Sequence, residues 1–515
     1  MLAKCFSGAI NGVEALTVEI EVNSSRSSSS FAIVGLPDAA VKEAKDRVST
    51  ALRNSGYTSK TEYAVTVNLA PADVRKEGPI YDLPIAIGLI KATQRLQTED
   101  LDQYALVGEL SLSGQVRRVK GILPIVMQMK RIGRRAILVP ADNVEEASVV
   151  EGIDVIPVRT LREAAEFLAG KLEIVPHYTN LAELVRTGRD AGDDFADVKG
   201  QNFAKRAIEV AVAGGHNLLM VGSPGSGKTM LARRIPSILP PMTVEEALEV
   251  SRIHSVAGAA KGSGDFVTRR PFRSPHHTVS SIGLLGGGTH PVPGEVSLAH
   301  RGVLFLDEFA EFPRSALEVL RQPLEDGHVS VSRAAAACDY PSRFMLVAAM
   351  NPCPCGYYND PTHECRCTES QILKYQQRVS GPLLDRIDIQ ISVGPVPLED
   401  LDRLEPGESS KAIRERVVAA REMQAARYRG MMGVLTNAEA RGRDLKDICQ
   451  LSEAAVREVR DAIRHLKLSA RAYDRVLRVA RTIADMDARE SVSEADVMEA
   501  AHYRQLESGH DSFWA

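Results

Sequence analysis

The segment from Gly222 to Thr229, GSPGSGKT, restricts the fold of this chain more than any other part of its sequence. It matches the pattern G-x-x-x-x-G-K-[S/T] in full, follows the apolar run NLLMV and precedes a helical pattern. Glycines let backbone N–H groups turn onto phosphate oxygens, and the N-terminus of the following helix adds partial positive charge. We therefore expect a strand, a phosphate loop and a helix beside a parallel sheet, with the nucleotide contacting Gly222, Ser223, Pro224, Gly225, Ser226, Gly227, Lys228 and Thr229.

Polar residues that follow two further strand patterns complete a site for nucleotide hydrolysis. GVLFLDEF contains Asp307 and Glu308 after its apolar run, and FMLVAAMN ends in Asn351. Ligands bind at the carboxyl ends of the strands in such sheets. We expect Lys228 to reach the β- and γ-phosphates, Thr229 to ligate Mg²⁺ and Asp307 to hold Mg²⁺ through water. With Glu308 polarising the attacking water and Asn351 orienting it, the sequence predicts an Mg²⁺-dependent ATP hydrolase.

Composition is that of a soluble globular protein and leaves a nucleic-acid partner open. The 515 residues are 44% hydrophobic and 25% charged, and the chain is long enough for two to four domains. It contains no run of eighteen apolar residues and no signal-peptide pattern, so we expect a cytoplasmic protein with no membrane partner. A net charge of −4 does not exclude DNA, because a basic groove can occupy part of a near-neutral surface.

The pattern along the chain changes three times. Residues 1–175 alternate strand-like and helical runs and predict an α/β domain, although NSSRSSSS at 23–30 is typical of a mobile loop. Residues 176–195 include a polar stretch that predicts a linker, and residues 196–397 contain the nucleotide-site patterns. From 398 to 515 strand patterns disappear, and we expect four helices, several opened by serine caps.

Long motifs in the central region resemble a known family. RPFRSPHHTVSSIGLLGGGTHPVPGEVSLAHRGVLFLDEF, VAAMNPCPCGYY and SGPLLDRIDI are similar to the magnesium-chelatase-like branch of the AAA+ ATPases. The resemblance covers the whole chain and is strongest to the YifB/ComM group. It implies an α/β AAA+ core with a parallel sheet and a helical C-terminal lid domain. It further implies a homo-oligomeric ring, a hexamer or a heptamer, that acts as a DNA helicase in branch migration during natural transformation, alongside recombination proteins.

The same resemblance assigns roles to several arginines. Arg386, in LLDRID, matches the arginine finger that reaches a neighbouring subunit's site, and Arg378 is the second candidate. Arg471, in SARAYDR, matches the sensor arginine of the helical lid, with Arg475 next in line. A guanidinium suits the roles of arginine finger and sensor because it stays charged and can bind two phosphate oxygens at once. A finger that acts on the next subunit implies slow ATP hydrolysis by an isolated chain.

Four of the seven cysteines are crowded into fifteen residues directly after Asn351. Cys353-Pro-Cys355 and Cys365-Arg-Cys367 bring four sulfurs to one short loop, a set typical of tetrahedral Zn²⁺. Thiols without metal are the alternative. The position of the loop, ahead of the arginine-finger candidates, leads to the hypothesis that a metal clip stiffens this connection.

The N-terminal module resembles the Lon-type protease domain, which has a ribosomal S5 domain 2-like fold. The resemblance is carried by KEGPIYDLPIAIGLI and VGELSLSGQVRRVKGILP. Ile80 falls where Lon has its serine and Leu123 where it has its lysine, and neither can act as nucleophile or base. Proteolysis is therefore excluded, and a scaffold that binds DNA or builds the ring remains.

Two inserts of the central region carry the candidate DNA contacts. The resemblance implies that they project into the channel of the ring, where basic and polar side chains hold phosphates of single-stranded or branched and duplex DNA without sequence preference. The candidates are Arg269, Arg270, Arg273, His276, His277 and Arg333, each with subunit contacts as its alternative role.

Two rival functions share this ATPase core. One is a metal-insertion motor like the magnesium chelatase subunit, which we expect to lack the Lon-like module and the cysteine loop. The other is a protein remodeller or chaperone that binds polypeptide through the inactive Lon-like fold. ATPase activity that is stimulated by DNA and lost at moderate salt separates a DNA motor from both.

Overall fold

The computed structural model describes the chain in two compact units. The described residues are 2–26, 30–57, 63–98, 100–187, 192–259, 266–288, 291–333, 336–395, 407–431, 433–440, 442–465, 470–504 and 506. The first unit contains Met1–Thr187, Thr243–Thr268 and Ser332–Tyr340, and the second contains Gly188–Met242, Arg269–Val331 and Pro341–Ala515. Two segments expected within 196–397 thus belong with the N-terminal module.

A seven-stranded mixed sheet forms the centre of the first unit, in the order β3-β4-β2-β1-β5-β8-β9. Its long β1–β2 hairpin is antiparallel, and β5, β8 and β9 run parallel. Alternation along β2 buries Val18, Ile20 and Val22. The strands of this unit are β1 (Leu2–Asn11), β2 (Glu14–Arg26), β3 (Ser30–Val34), β4 (Tyr63–Ala70), β5 (Tyr104–Leu106), the short pair β6 (Glu109–Leu110) and β7 (Val116–Arg117), β8 (Ala136–Pro140) and β9 (Asp154–Val158). Because β2 continues to Arg26 and β3 begins at Ser30, the mobile loop expected at 23–30 is wrong for residues 23–26 and 30, and residues 27–29 lie outside the described part of the chain.

Helices cover this sheet and bury the two positions at which the Lon family has its dyad. Ile80 is 8% exposed and Leu123 is fully buried, so both are core residues. The buried Asp82 carboxylate accepts a hydrogen bond of 2.7 Å from Arg47 Nε and one of 3.1 Å from Leu110 N. The helices are Ala39–Asn54, Asp82–Ala92, Ile122–Arg131, Val144–Ala147, Leu161–Leu168, Leu181–Thr187 and Val244–Ala257. Leu181–Thr187 lies within the predicted linker, of which the structure leaves 188–191 undescribed.

The second unit is built on a five-stranded parallel sheet in the order β11-β14-β17-β10-β18. Its three central strands are apolar throughout, as expected for a sheet covered on both faces. The strands are β10 (Leu218–Val221), β11 (Phe272–Arg273), β14 (Val303–Leu306), β17 (Met345–Met350) and β18 (Ile389–Ser392), with the short pair β12 (Gly286–Gly287) and β13 (Val292–Pro293). Two further strands, β15 (His328–Arg333) and β16 (Ala336–Pro341), each have residues assigned to both units. The boundaries fall after Val331 in β15 and after Tyr340 in β16.

The four helices predicted after residue 398 are confirmed at Ser410–Arg427, Glu453–His465, Ala470–Met486 and Glu494–His502. A fifth, Gly442–Cys449, was not predicted. Further helices among the described residues of this unit are Asn202–Gly214, Lys228–Ile238, Ser281–Leu285, Glu295–Leu298, Arg314–Glu318, Arg321–Asp326, Glu369–Gln376 and Gly381–Leu384. Among all the helices that the structure describes, none combines the length and apolar character needed to cross a bilayer.

A buried carboxylate joins three elements of the helical region. Asp485 accepts hydrogen bonds from Arg427 Nη1 at 2.8 Å, Arg481 Nε at 3.1 Å and Asn437 Nδ2 at 2.8 Å. Arg481 is fully buried, and desolvation lowers the pKa of its guanidinium. The buried Arg481 and the partly buried Arg427 therefore depend on this one anion.

We expect Asp485→Asn to lower the free energy of unfolding by about 3–5 kcal/mol, because it leaves the buried Arg481 and the partly buried Arg427 without their counter-ion. Asp487→Asn is the matched control, since Asp487 is 52% exposed where it pairs with Arg489. That surface pair is worth less than about 1 kcal/mol. Urea unfolding followed by circular dichroism measures both variants. Equal losses would contradict the central role of Asp485.

Candidate nucleotide-binding site

The carboxyl ends of three adjacent parallel strands bring the predicted nucleotide residues together. Strand β10 lies beside β17, which in turn lies beside β14. The phosphate loop follows β10, Asp307 follows β14 and Asn351 follows β17. The helix Lys228–Ile238 begins directly after Gly227. The φ of Gly227 is +91°, a left-handed backbone conformation that favours glycine. The predicted strand, loop and helix are thus confirmed as secondary structure.

The Lys228 side chain is buried within the phosphate loop and contacts the backbone of that loop. Its Nζ donates to the carbonyl oxygens of Gly222 at 2.7 Å and Ser223 at 2.8 Å. It also lies 3.4 Å from Ser226 Oγ and 3.5 Å from Asn351 Oδ1. Desolvation lowers the pKa of Lys228 to about 8, although the Asp307 carboxylate partly opposes this effect. The loop therefore holds a desolvated cation whose present partners are neutral, which suits it to an incoming polyanion.

Oxygen ligands suited to Mg²⁺ meet beside this lysine. Thr229 Oγ1 donates to Asp307 Oδ2 at 2.7 Å, and the other Asp307 oxygen accepts the backbone N–H of Glu308 at 3.0 Å. A hydroxyl and a carboxylate at this separation fit a hard cation that keeps several waters. Glu308 itself has a left-handed backbone with φ of +52°. That conformation turns the chain sharply after the strand.

The Glu308 carboxylate is held by a residue expected to contact DNA. His277 Nδ1 lies 2.8 Å from Glu308 Oε2, and the His276 ring packs on His277 with centroids 4.1 Å apart. Nothing in the local sequence indicated this pairing, because the two residues are separated by a long stretch of chain. The first insert thus reaches the residue predicted to polarise the attacking water.

The other DNA candidates differ in their surroundings. Arg273 makes a two-bond ion pair with Glu295 at 2.7 and 2.8 Å. Arg270 donates to the carbonyl oxygens of Pro240 and Arg301, both at 2.8 Å. Arg269 is exposed, whereas the side chain of Arg333 lies outside the described residues. The guanidinium groups of Arg270 and Arg273 therefore stabilise the fold around the insert.

The candidate arginine fingers have acidic partners in this single chain. Arg378 Nη1 lies 2.7 Å from Glu311 Oε2, while Arg386 pairs with Glu325. Arg475, the alternative sensor, lies 3.4 Å from the buried Asp388. Arg471 is part of the helix Ala470–Met486, but its side chain lies outside the described residues.

The four clustered cysteines converge. Their sulfur atoms all lie within 4.8 Å of one another. The Cys353 sulfur lies 3.4 Å from that of Cys355 and 3.8 Å from that of Cys365, and the sulfurs of Cys355 and Cys365 are 3.6 Å apart. A tetrahedral site with metal–sulfur bonds of about 2.3 Å separates its sulfurs by about 3.8 Å. The group of Cys353, Cys355, Cys365 and Cys367 can therefore hold a metal ion.

The ionisation of these thiols also fits a cation. Desolvation opposes ionisation of Cys355, but hydrogen bonds from backbone N–H groups and neighbouring thiols outweigh it and lower the pKa of Cys355 to about 6. Desolvation raises the pKa of Cys365 to about 12 and also raises that of Cys367. A divalent ion at the centre of the four sulfurs would favour the thiolate form of each cysteine.

Comparison with known proteins shows that the chain is similar to the magnesium chelatase family. A family model described as magnesium chelatase, subunit ChlI, matches residues 194–401, and its C-terminal counterpart matches 407–504. A model described as subunit ChlI of Mg-chelatase matches residues 20–143. Because this match lies in the N-terminal module, that module does not separate the chain from chelatase families, contrary to our expectation.

Several relatives align over nearly the whole chain. The uncharacterized protein YifB of Escherichia coli is 43% identical over 96% of both chains. Competence protein ComM of Haemophilus influenzae is 42% identical over 98% of both. Two other proteins match part of the chain. Lon protease 2 of Bacillus subtilis is 23% identical over 30% of each chain. DNA helicase MCM8 of Xenopus tropicalis is 25% identical over 44% of this chain and 22% of the helicase.

We expect nucleotide affinity to fall as pH rises above about 8. Protonated Lys228 binds phosphate, so a free protein whose lysine is neutral must take up a proton on binding. The dissociation constant of a non-hydrolysable ATP analogue should therefore rise by up to about tenfold per pH unit between about pH 8 and 9.5. Lys228→Arg is the control, because its guanidinium stays charged in this range. A pH-independent wild type would contradict the lowered pKa.

Proposed function

The chain belongs to the YifB/ComM group of the magnesium chelatase family, and from this premise we propose that it is a ring-forming AAA+ ATPase that moves DNA strands. The observation that carries the proposal is the arrangement of Lys228, Thr229, Asp307 and Asn351 at one edge of the parallel sheet. Each of these residues has the chemistry that triphosphate binding and hydrolysis require.

The hydrolytic step follows from the positions of these side chains. Backbone N–H groups of the loop and Lys228 bind the β- and γ-phosphates, for which Lys228 exchanges its bonds to loop carbonyls. Thr229 and Asp307 would hold Mg²⁺, which neutralises developing charge on the phosphate oxygens. Glu308 accepts a proton from the attacking water, and Asn351 orients that water. His277 pairs with one oxygen of the Glu308 carboxylate, which places the insert where it can influence this step.

Ring assembly completes the site in this proposal. Arg386, with Arg378 as the alternative, exchanges its acidic partner for the γ-phosphate bound by the neighbouring subunit. Arg471 contacts phosphate from the helical lid of its own chain. A hexamer is the expected assembly.

DNA is the proposed polymer because relatives carry names that point to it. ComM is named a competence protein and MCM8 a DNA helicase. We infer that this chain promotes branch migration during natural transformation, acting on single-stranded and branched or duplex DNA together with recombination proteins. Arg269, His276, His277 and Arg333 are the proposed contacts, and Arg270 and Arg273 support the first insert, which carries the first three of them.

Metal insertion is the second candidate, because the matching family models are described by a magnesium chelatase subunit. Such a motor would use the same nucleotide site. It would respond to a tetrapyrrole and its protein partners and would remain indifferent to DNA. Protein remodelling is favoured by the partial likeness to Lon protease 2 and would respond to unfolded polypeptide.

We propose Zn²⁺ as the ion of the four-cysteine group. Four sulfur ligands at tetrahedral spacing suit a borderline-soft cation, whereas Mg²⁺ prefers oxygen. The proposed site is closed, since all four positions are filled by protein sulfurs. A closed site of this kind is structural and does not take part in the hydrolytic chemistry.

We expect Glu308→Gln to bind ATP as the wild type does and to hydrolyse it about 10²–10⁴-fold more slowly, because the amide cannot accept the proton of water. Nucleotide binding by equilibrium titration and phosphate release measure the two effects. Glu494→Gln, an exposed glutamate at the start of the helix Glu494–His502, should hydrolyse ATP normally. Unchanged turnover in Glu308→Gln would remove Glu308 from its role.

We also expect single-stranded, duplex and branched DNA to stimulate ATP hydrolysis, with stimulation falling steeply between about 50 and 200 mM salt. Arg269→Ala should reduce the slope of log affinity for DNA against log salt by about one, whereas the exposed Arg429→Ala should not. Stimulation by a tetrapyrrole or by unfolded polypeptide, with indifference to every DNA, would instead support the corresponding rival.

A further inference from the structure

The cysteine loop, residues 352–367, packs directly on the phosphate loop. Ser223 Oγ, in the first half of the phosphate loop, donates a short hydrogen bond to Asp360 Oδ2. Gly356 of the cysteine loop lies against Pro224, the residue after Ser223 in the phosphate loop. A Cβ added at Gly356 would lie 2.6 Å from Pro224 Cδ and 2.7 Å from Pro224 Cγ. A polar contact and a steric contact thus join the two loops.

Asp360 is fixed toward Ser223 by its own loop. Its second carboxylate oxygen accepts hydrogen bonds from Thr362 N at 2.8 Å, Thr362 Oγ1 at 2.7 Å and His363 N at 2.9 Å. The hydrogen bond from Ser223, followed by those from Thr362 and His363, lowers the pKa of Asp360. The carboxylate therefore stays ionised at neutral pH and presents a fixed acceptor to the phosphate loop.

Gly356 belongs to the same turn as two of the sulfur ligands. It directly follows Cys355, and its N–H donates to the Cys353 carbonyl at 3.0 Å. Its φ of +88° favours glycine, and the contact with Pro224 leaves no room for a side chain. The position of Cys353 and Cys355 therefore sets the position of the surface against which Pro224 packs.

We propose that Zn²⁺ bound by the four thiolates holds the cysteine loop against Ser223 and Pro224, and thereby keeps the phosphate loop in its nucleotide-binding conformation. Binding releases the remaining thiol protons to solvent and fastens both ends of the segment that carries Asp360. Loss of the ion leaves repelling or neutral sulfurs, the segment loosens, and the phosphate loop loses this support. This role rests on the proposed ATPase function and adds a metal requirement to nucleotide binding.

The decisive experiment compares two glycine variants of the full chain, each with zinc bound and with zinc removed by a chelator. Gly356→Ala introduces a Cβ against Pro224. Gly430→Ala is the matched control, because Gly430 has a similar φ of +91° and nothing within 4 Å of an added Cβ. The dissociation constant of a non-hydrolysable ATP analogue is measured in excess Mg²⁺, and zinc content is measured on the same samples.

Removal of zinc should raise the wild-type dissociation constant by about tenfold, and added Zn²⁺ should restore it. Gly430→Ala should behave as the wild type. Gly356→Ala should bind the nucleotide about tenfold more weakly even with zinc bound, and removal of zinc should change it little. Equal nucleotide affinity with and without zinc, or equal behaviour of the two variants, would overturn the proposal, as would less than about 0.2 zinc per reconstituted wild-type chain.

Hydrogen exchange supplies a readout that is independent of nucleotide. Amides of residues 222–227 should exchange faster after zinc removal in the nucleotide-free wild type, and unchanged exchange would count against the support role. If zinc-bound wild type binds no ATP analogue while exchange in this loop still depends on zinc, the proposed ATPase function fails and the contact between the loops stands.

Discussion

Placement of one desolvated ammonium group governs the organisation of the second unit. Lys228 can be buried within the phosphate loop only because loop carbonyls, Ser226 and Asn351 surround its Nζ. These groups converge because β10 and β17 are neighbours with their carboxyl ends at one edge. The strands contribute apolar side chains to the core, so polar side chains gather where the strands end. An apolar parallel sheet thus produces a concentrated polar site.

Much of this site could be predicted from sequence, because its signals are local. The glycine-rich loop, the acids after one apolar strand and the asparagine after another each follow directly from a short pattern. The contacts of His277 with Glu308 and of Asp360 with Ser223 have no such signal, because each joins segments far apart in the chain. The assignment of Thr243–Thr268 and Ser332–Tyr340 to the first unit was missed for the same reason. Choice of partner depends on tertiary packing, which composition and periodicity do not encode.

The ion pairs rank the candidate arginines by how readily they can change partner. Arg378 and its partner Glu311 are 51% and 42% exposed, whereas Arg386 is only 17% exposed beside a Glu325 that is 65% exposed. A surface pair such as that of Arg378 and Glu311 is worth at most about 1 kcal/mol, so a phosphate can replace its carboxylate at small cost. Arg475 and Asp388 are 10% and 6% exposed, and separating buried partners costs several kcal/mol. By exposure of the arginine, the Arg378 pair is the easiest of the three to exchange, the Arg386 pair is intermediate and the Arg475 pair is the hardest.

In the proposed function, Asn351 would connect the nucleotide site and the metal site through the backbone. Its side chain faces Lys228, and the cysteine loop begins at the next residue. Movement of β17's carboxyl end therefore displaces the phosphate site and Cys353 together. Linkage then works in both directions: if bound Zn²⁺ raises nucleotide affinity by some factor, bound nucleotide must raise Zn²⁺ affinity by the same factor. A chain that cycles through ATP would hold its metal most tightly with nucleotide bound and most weakly when the phosphate loop is empty.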